Sequence, residues 1–340
     1  MTLNRWFSIL SVLPAAAALL CGTGLLCAIR IVREPDYTAI GGDPAVELQD
    51  SAFHVQARDC DVLIDGDSTA EVGIDPRVVT AQTGLTACNI ATSRPVVDDL
   101  GTLPLDTFLE HNRKPKLLVI QYGAEDFYRS NQPWQHVGPY TPLVMIARNL
   151  PTSTALRLML EHPAETVQFV TFVLKTKAIS RKAGGPLDRQ FRRALSHAEA
   201  SHGQLDLNLP PQKSCELPMR PLDGPLDPER IRQLRQKYER QGIAVLIRAA
   251  PVPSCDRYLT RFEHDLAPYL DGNVEPLPVT VFASGDRHPT QPGSLIITLG
   301  LVNLINARLP TLVATARHEA LPYPQSPVFT AVAYTSRSLK

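Results

Sequence analysis

The chain begins with one long apolar run and then alternates short apolar blocks with polar, turn-forming clusters. The run from Trp6 to Ile29 contains no charged residue. About 20 such residues suffice to cross a bilayer as a helix, so it predicts an N-terminal transmembrane helix or an uncleaved signal over residues 1–33. Arg30 and Arg33 close it. Cys21 and Cys27 do not suit lipid attachment, because Leu20 and Leu26 stand where a small residue is needed. Arg5 lies on one side of the run and Arg30 and Arg33 on the other, so charge barely orients it. Residues 34–58 read as a linker.

Beyond the linker, the apolar blocks have the length of buried strands, and each ends in a turn signal. Asp61 to Asp65 ends in Gly66-Asp67-Ser68-Thr69. Leu85 to Ala91 is the second block, and Lys116 to Tyr122, ending in Gly123-Ala-Glu-Asp126, is the third. Gly242 to Ala250 is the fourth and stops at Pro251. Between them lie helical segments. The best marked has Asp227 as N-cap, Pro228 at its first position, and Gly242 as C-cap after Gln241. Helix, glycine, buried strand is the rhythm of a parallel sheet. A last helix begins near Gly293, with Leu295, Ile296, Leu299, Leu301, Leu304 and Ile305 as its apolar positions. The expected architecture is α/β: a flavodoxin-like three-layer parallel sheet over residues 59–310.

Residues 130–224 break the rhythm. They read as a helical insertion with helices near Thr141–Leu150 and Thr152–Thr176, Pro163 marking a break. The apolar stretch Val167–Leu174 can pack on the main domain, line a cleft or touch a bilayer. Residues 311–340 read as a tail, within which Val328–Tyr334 can add an edge strand.

Composition narrows the function classes. Lys plus Arg and Asp plus Glu both number 34 in 340 residues, so no basic excess exists to neutralise nucleic-acid phosphates. Prolines number 30, roughly twice the usual share of about 5%, and imply long connections in a globular chain. Of six cysteines, two lie in the N-terminal run. Cys60, Cys88, Cys215 and Cys255 show no CxxC pair or zinc spacing, so neither a metal nor another cofactor is expected. They can form at most two disulfides, with three possible connectivities, or remain buried thiols.

Three polar clusters fall where open parallel sheets bind ligands, at strand ends or before the last helix. They are Gly66-Asp67-Ser68, Gly123-Ala-Glu-Asp126 and Gly285-Asp286-Arg287-His288. Together they offer a serine nucleophile (Ser68), a general base (His288) and a carboxylate to orient it (Asp286). Each also has a structural role open to it: Ser68 and Asp67 can cap a helix, His288 can sit in a turn before Pro289, and Asp126 can bind backbone amides. Arg94 and Arg129 can bind an anionic group or stay solvated.

On these residues the chain resembles the SGNH (GDSL-like) hydrolase superfamily. Asp65-Gly66-Asp67-Ser68 is similar to its first block, Gly123-Ala-Glu-Asp126 to its third, and Asp286-Arg287-His288 with Gly293 to its last. The similarity runs over residues 58–308 and omits the insertion. It implies catalysis by Ser68, His288 and Asp286, with oxyanion and substrate candidates at Asp67, Asn89, Arg94, Gly123, Glu125 and Asp126. Two departures stand out: Glu125 replaces the family's asparagine donor, and the second block lacks its glycine in Asn89-Ile-Ala-Thr-Ser-Arg94. An ionised Glu125 would repel a developing oxyanion unless protonated, turned away or replaced by another donor.

The tight Asp-x-His looks like the membrane-anchored, exported branch that modifies cell-surface polysaccharides. The resemblance therefore implies a serine esterase or O-acyltransferase, single-pass in the inner membrane, with its catalytic domain in the periplasm. Its partners would be an acylated glycan, the membrane, and a polysaccharide synthase (such as that for bacterial cellulose) or export complex. Two other readings stay open: a catalytically degenerate glycan-binding or scaffolding subunit, and a lipid-active esterase.

Overall fold

The computed structural model describes residues 3–34, 58–92, 94, 97, 100–129, 141–179, 196–197, 200–204, 210–215, 222, 224–283 and 287–318. It shows a mixed α/β architecture. The strands β1 (Val62–Gly66), β2 (Ala87–Asn89), β3 (Leu117–Tyr122) and β4 (Ala244–Ala249) form a parallel sheet in the order β2-β1-β3-β4. That order is compatible with a flavodoxin-like fold. Two short strands, β5 (Val252–Pro253) and β6 (Pro276–Leu277), pair in parallel beyond β4. All four expected apolar blocks form strands; β1 is shifted by one residue, and the other three are shorter than their apolar runs.

The sheet is covered on both faces, which is why its strands read as continuous apolar runs. Alternate residues serve opposite layers. Leu63, Leu118, Ile120, Val245 and Ile247 pack with α4 (Leu103–His111), α8 (Pro228–Glu239) and α9 (Leu259–Leu266), through Phe108, Tyr238 and Phe262. Val62, Ile64, Leu117, Val119 and Leu246 pack on the other face. There they meet α2 (Ser68–Gly73), α3 (Pro76–Thr83) and α10 (Gln291–His318), through Ala70, Val79, Ile297 and Leu301.

Several helix boundaries follow sequence-local chemistry. The Asp75 side chain accepts from the Arg77 N–H ahead of Pro76, and α3 ends at Gly84 in the left-handed conformation. Asp227 caps α8 through the Arg230 N–H, and although regular helix stops at Glu239, Gly242 closes the end in the left-handed region (φ 80°), its N–H on the Glu239 carbonyl and the Ile243 N–H on the Tyr238 carbonyl. The last helix starts two residues before the expected glycine and runs on to His318, into the stretch read as a tail. The possible strand Val328–Tyr334 lies outside the described residues.

The insertion folds as α5 (Thr141–Asn149), α6 (Thr152–Glu161) and α7 (Pro163–Ile179), so Pro163 divides the long helix as its ring demands. These helices form a separate apolar cluster with α1 (Leu3–Val32), in which Leu25, Ala28, Ile29 and Val32 meet Leu143, Met145, Met159, Phe169 and Val173. Arg33 fastens the bundle. Its guanidinium donates to the Ala147 and Leu150 carbonyls, both at 2.7 Å, and to the Thr152 hydroxyl at 2.8 Å. The Val167–Leu174 stretch thus packs through Phe169 and Val173 against α1, not against the sheet.

A transmembrane helix over residues 1–33 is not found among the described residues: no helix there is long and apolar enough to cross a membrane. The run Trp6–Ile29 does lie within one helix, but the side chains of residues 3–15, 17 and 18 fall outside the described ones, and the remainder is shorter than a span. Its described end is also partly occupied, because Leu25, Ala28, Ile29 and Val32 are buried against the insertion.

Candidate functional site

The carboxyl ends of β1 and β3 lie side by side, where the strand order turns outward in both directions. Crevices at such points bind ligands in open α/β sheets. Gly66 ends β1 with φ at 151°, and a Cβ there would collide with the Gln121 carbonyl of β3. Only glycine lets the two strand ends approach this closely.

Asp67 comes next and binds both elements. Its Oδ1 accepts from the Thr69 N–H at 2.8 Å and the Thr69 hydroxyl at 2.5 Å, capping α2. Its Oδ2 accepts from the Gly123 N–H at 2.6 Å, across the gap to the third cluster. Ser68 is therefore the first residue of a capped helix at a sheet end, and it is half-buried. The capping role open to Asp67 and its place in a site coexist.

The third cluster forms a short 3₁₀ turn, Ala124–Phe127. Asp126 pairs with Arg94, which joins the second cluster to the third. Burial, the repulsion of Asp67 and a hydrogen bond to Asp67 push the Asp126 carboxyl well above the usual range, against the pull of Arg94. Glu125 pairs with Arg287 at 2.6 Å. Arg287 also meets Asp256 at 3.0 Å, and the Asp256 side chain is fully buried. Asp256 in turn accepts from the Tyr258 N–H at 2.8 Å.

Arg287 and His288 sit on a hairpin-like loop closed by backbone bonds. The Ala283 N–H donates to the His288 carbonyl at 2.8 Å, and Phe282 bridges Pro289. Residues 210–215 flank this loop, with the Gln212 N–H on the Phe282 carbonyl at 2.7 Å. The Cys215–Cys255 disulfide then ties that segment to the residue before Asp256. Cys60 and Cys88 form the second disulfide, beside β1 and β2. By chain-entropy arguments, loops of 28 and 40 residues each contribute about 3.5–4 kcal/mol.

The candidates read from the sequence therefore fare unequally. Asp67, Gly123, Asp126 and Arg94 form one bonded unit adjoining Ser68, and Glu125 joins the His288 loop through Arg287. Asp286 lies outside the described residues. Asn89 is committed elsewhere: buried, it donates to the Ala70 and Ile74 carbonyls at 2.9 and 3.1 Å and accepts from the Ala91 N–H. It ends α2 rather than facing a ligand. Arg129 pairs with Asp227 at 2.9 Å.

Four residues escaped sequence reasoning as functional groups. Arg287 and Asp256 carry the bridge just described. Asp65 and Glu71 are buried carboxyls beside Asp67, pushed up to about 7 and about 8, chiefly by burial. No local signal in the sequence marked Arg287, because its partners Glu125 and Asp256 lie far away along the chain.

A cavity of about 410 Å³ opens nearby, lined by Val72, His197, Gln204, Pro289, Thr290 and Ser294 among others. Among the described residues it touches the His288 loop at Pro289 and Thr290, and none of the described site residues read from the sequence lines it. No family model matches the chain, and no curated protein or solved structure is significantly similar to it. What stands is the class: an α/β protein with a parallel sheet and a bonded polar site at its strand ends.

Proposed function

We propose that the chain is an SGNH-type serine esterase or O-acyltransferase acting on an acylated polysaccharide outside the cytoplasm. The observation that supports it is the joining of distant clusters at one sheet end, by Asp67 on the Gly123 N–H and Arg287 on Glu125. A helix cap alone needs neither bond. In this reading Ser68 attacks the acyl carbon and its proton passes to His288, which Asp286 orients. The glycan oxygen leaves with that proton, and the acyl group stays on Ser68. Water or a second sugar hydroxyl then takes the acyl group, returning its proton through His288. The Ser68 N–H, at the first turn of α2, is a donor for the oxyanion.

The two disulfides favour an oxidising compartment. The uncharged run Trp6–Ile29 favours a single-pass anchor in the inner membrane, with the sheet domain in the periplasm. A polysaccharide synthase or export complex is the partner this location suggests. A second reading, a degenerate glycan-binding subunit, draws on Asn89 being engaged internally and on Glu125 standing where a neutral donor is expected.

Active-site labelling separates the two. Full-length protein in detergent is treated with a fluorophosphonate, and the adduct is mapped by peptide mass spectrometry. A stoichiometric adduct on Ser68, abolished by Ser68→Ala and His288→Ala, is expected. No adduct on protein with an intact thermal transition overturns the enzyme reading in favour of the binding subunit.

A further inference from the structure

We infer that Arg287 is the positioning residue that makes Glu125 compatible with an anion at Ser68. This rests on the enzyme reading above. Glu125 lies in the short turn that follows β3, two residues beyond Gly123. Its Oε2 folds back over Gly123, lying 3.2 Å from where a Cβ on that residue would stand. Gly123 is the residue whose N–H holds Asp67, next to Ser68. Both Glu125 and Arg287 are largely shielded, with side-chain exposures of 18% and 17%. An unopposed negative charge there would act through a medium less screening than water, against the charge that develops on the reacting oxygen.

Arg287 cancels that charge at 2.6 Å and is held in place from behind by Asp256, at 3.0 Å. Glu125 and Arg287 thus form a neutral pair, while the buried Asp256 carboxylate on the same guanidinium leaves the three residues with one negative charge in excess. The unit also fixes the His288 loop to the end of β3, because Arg287 directly precedes His288. Charge neutralisation and loop tethering are different roles, and they predict different rescues.

The test follows the rate at which a fluorophosphonate labels Ser68 in full-length protein. In that step the Ser68 Oγ–P bond forms, the P–F bond breaks with loss of fluoride, and the serine proton passes to His288. Arg287→Met is expected to slow labelling about 100-fold, the scale set by losing one oxyanion-stabilising contact. Arg287→Lys, which keeps the charge, is expected to stay within about tenfold of wild type. Arg287→Met combined with Glu125→Gln and Asp256→Asn removes all three charges and is expected to recover to within about tenfold, with the gain in the maximal labelling rate rather than in probe affinity.

Should Arg287→Met fail to fold, Arg287→Gln replaces it, with the same expected loss and the same rescue by Glu125→Gln with Asp256→Asn. A triple variant as slow as the single one, with an intact thermal transition, overturns neutralisation. So does a single variant that labels at the wild-type rate. If wild-type protein itself leaves Ser68 unlabelled while folded, the enzyme reading falls and this inference falls with it.

Discussion

The sheet-end site and the bundle of α1 with α5–α7 are held together by different physics. In the bundle, leucines, methionines, valines and phenylalanines from four helices fill a cluster of their own, and Arg33 caps the joint between α5 and α6. Apolar side chains also remain on its outside: Leu19, Leu20, Leu160 and Val167 are exposed. At the sheet end, by contrast, charges from distant parts of the chain lock to one another. Arg94 meets Asp126, Arg287 meets Glu125 and Asp256, and Asp67 binds Gly123. Apolar packing is tolerant of shape, whereas a buried ion pair fails when either partner is lost. The site is therefore the region with the narrower tolerance, and the bundle the one that can drift.

The largest effect expected tests that narrowness at one atom. Gly66→Ala drives a methyl group into the Gln121 carbonyl and forces φ near 151° on a residue that avoids it. It should cost more than about 4 kcal/mol, seen as loss of the cooperative unfolding transition.

Phe169→Ala probes the other region. Phe169 is fully buried in the bundle, and its truncation should cost roughly 3–5 kcal/mol within that cluster. Because the bundle cluster is separate from both sheet clusters, hydrogen exchange should accelerate in α1 and α5–α7. The amides of β1, β3 and β4 should keep their protection, and Ser68 should label at its original rate. Faster exchange in the sheet would show that the two regions unfold as one.

A smaller, pH-dependent effect comes from Glu71. Its carboxyl is raised to about 8 in the folded chain, by burial first and by Asp67 second. The folded state therefore holds a proton that the unfolded chain releases near pH 4.5. That stability is fully present below the unfolded value and is lost as pH rises toward about 8. Asp65, raised to about 7, acts in the same direction. Glu71→Gln should gain roughly 2–4 kcal/mol over wild type at pH 9 and little at pH 4, as read by urea unfolding across that range. An unchanged pH slope would mean that Glu71 is solvated in the folded protein.

Much of the fold was legible along the chain, because its signals are local. Buried strands of a covered sheet are continuous apolar runs, and the four runs became the four strands. Asp75, Pro76, Gly84, Asp227, Pro228 and Pro163 act on their own neighbours, so they mark helix ends wherever the chain goes. The position of Gly66-Asp67-Ser68 at a strand end followed from the same patterning.

Other features depended on which elements meet. Nothing in the sequence says that Asn89 turns inward to end α2, or that Cys60 pairs with Cys88 and Cys215 with Cys255. The partners of Asp126, Glu125 and Asp256 are likewise tertiary facts. So is the packing of the insertion on α1 instead of on the sheet. An apolar stripe specifies that a helix must bury one face, not which surface will cover it, and a charged residue specifies a need for compensation, not its source. The sequence by itself determined the strands, the caps and the three polar clusters, since each is set by residues a few positions apart. Only the tertiary structure decided that Arg287 stands between Glu125 and Asp256, because an ion pair is chosen by distance in space, and that distance exists only once the sheet has closed.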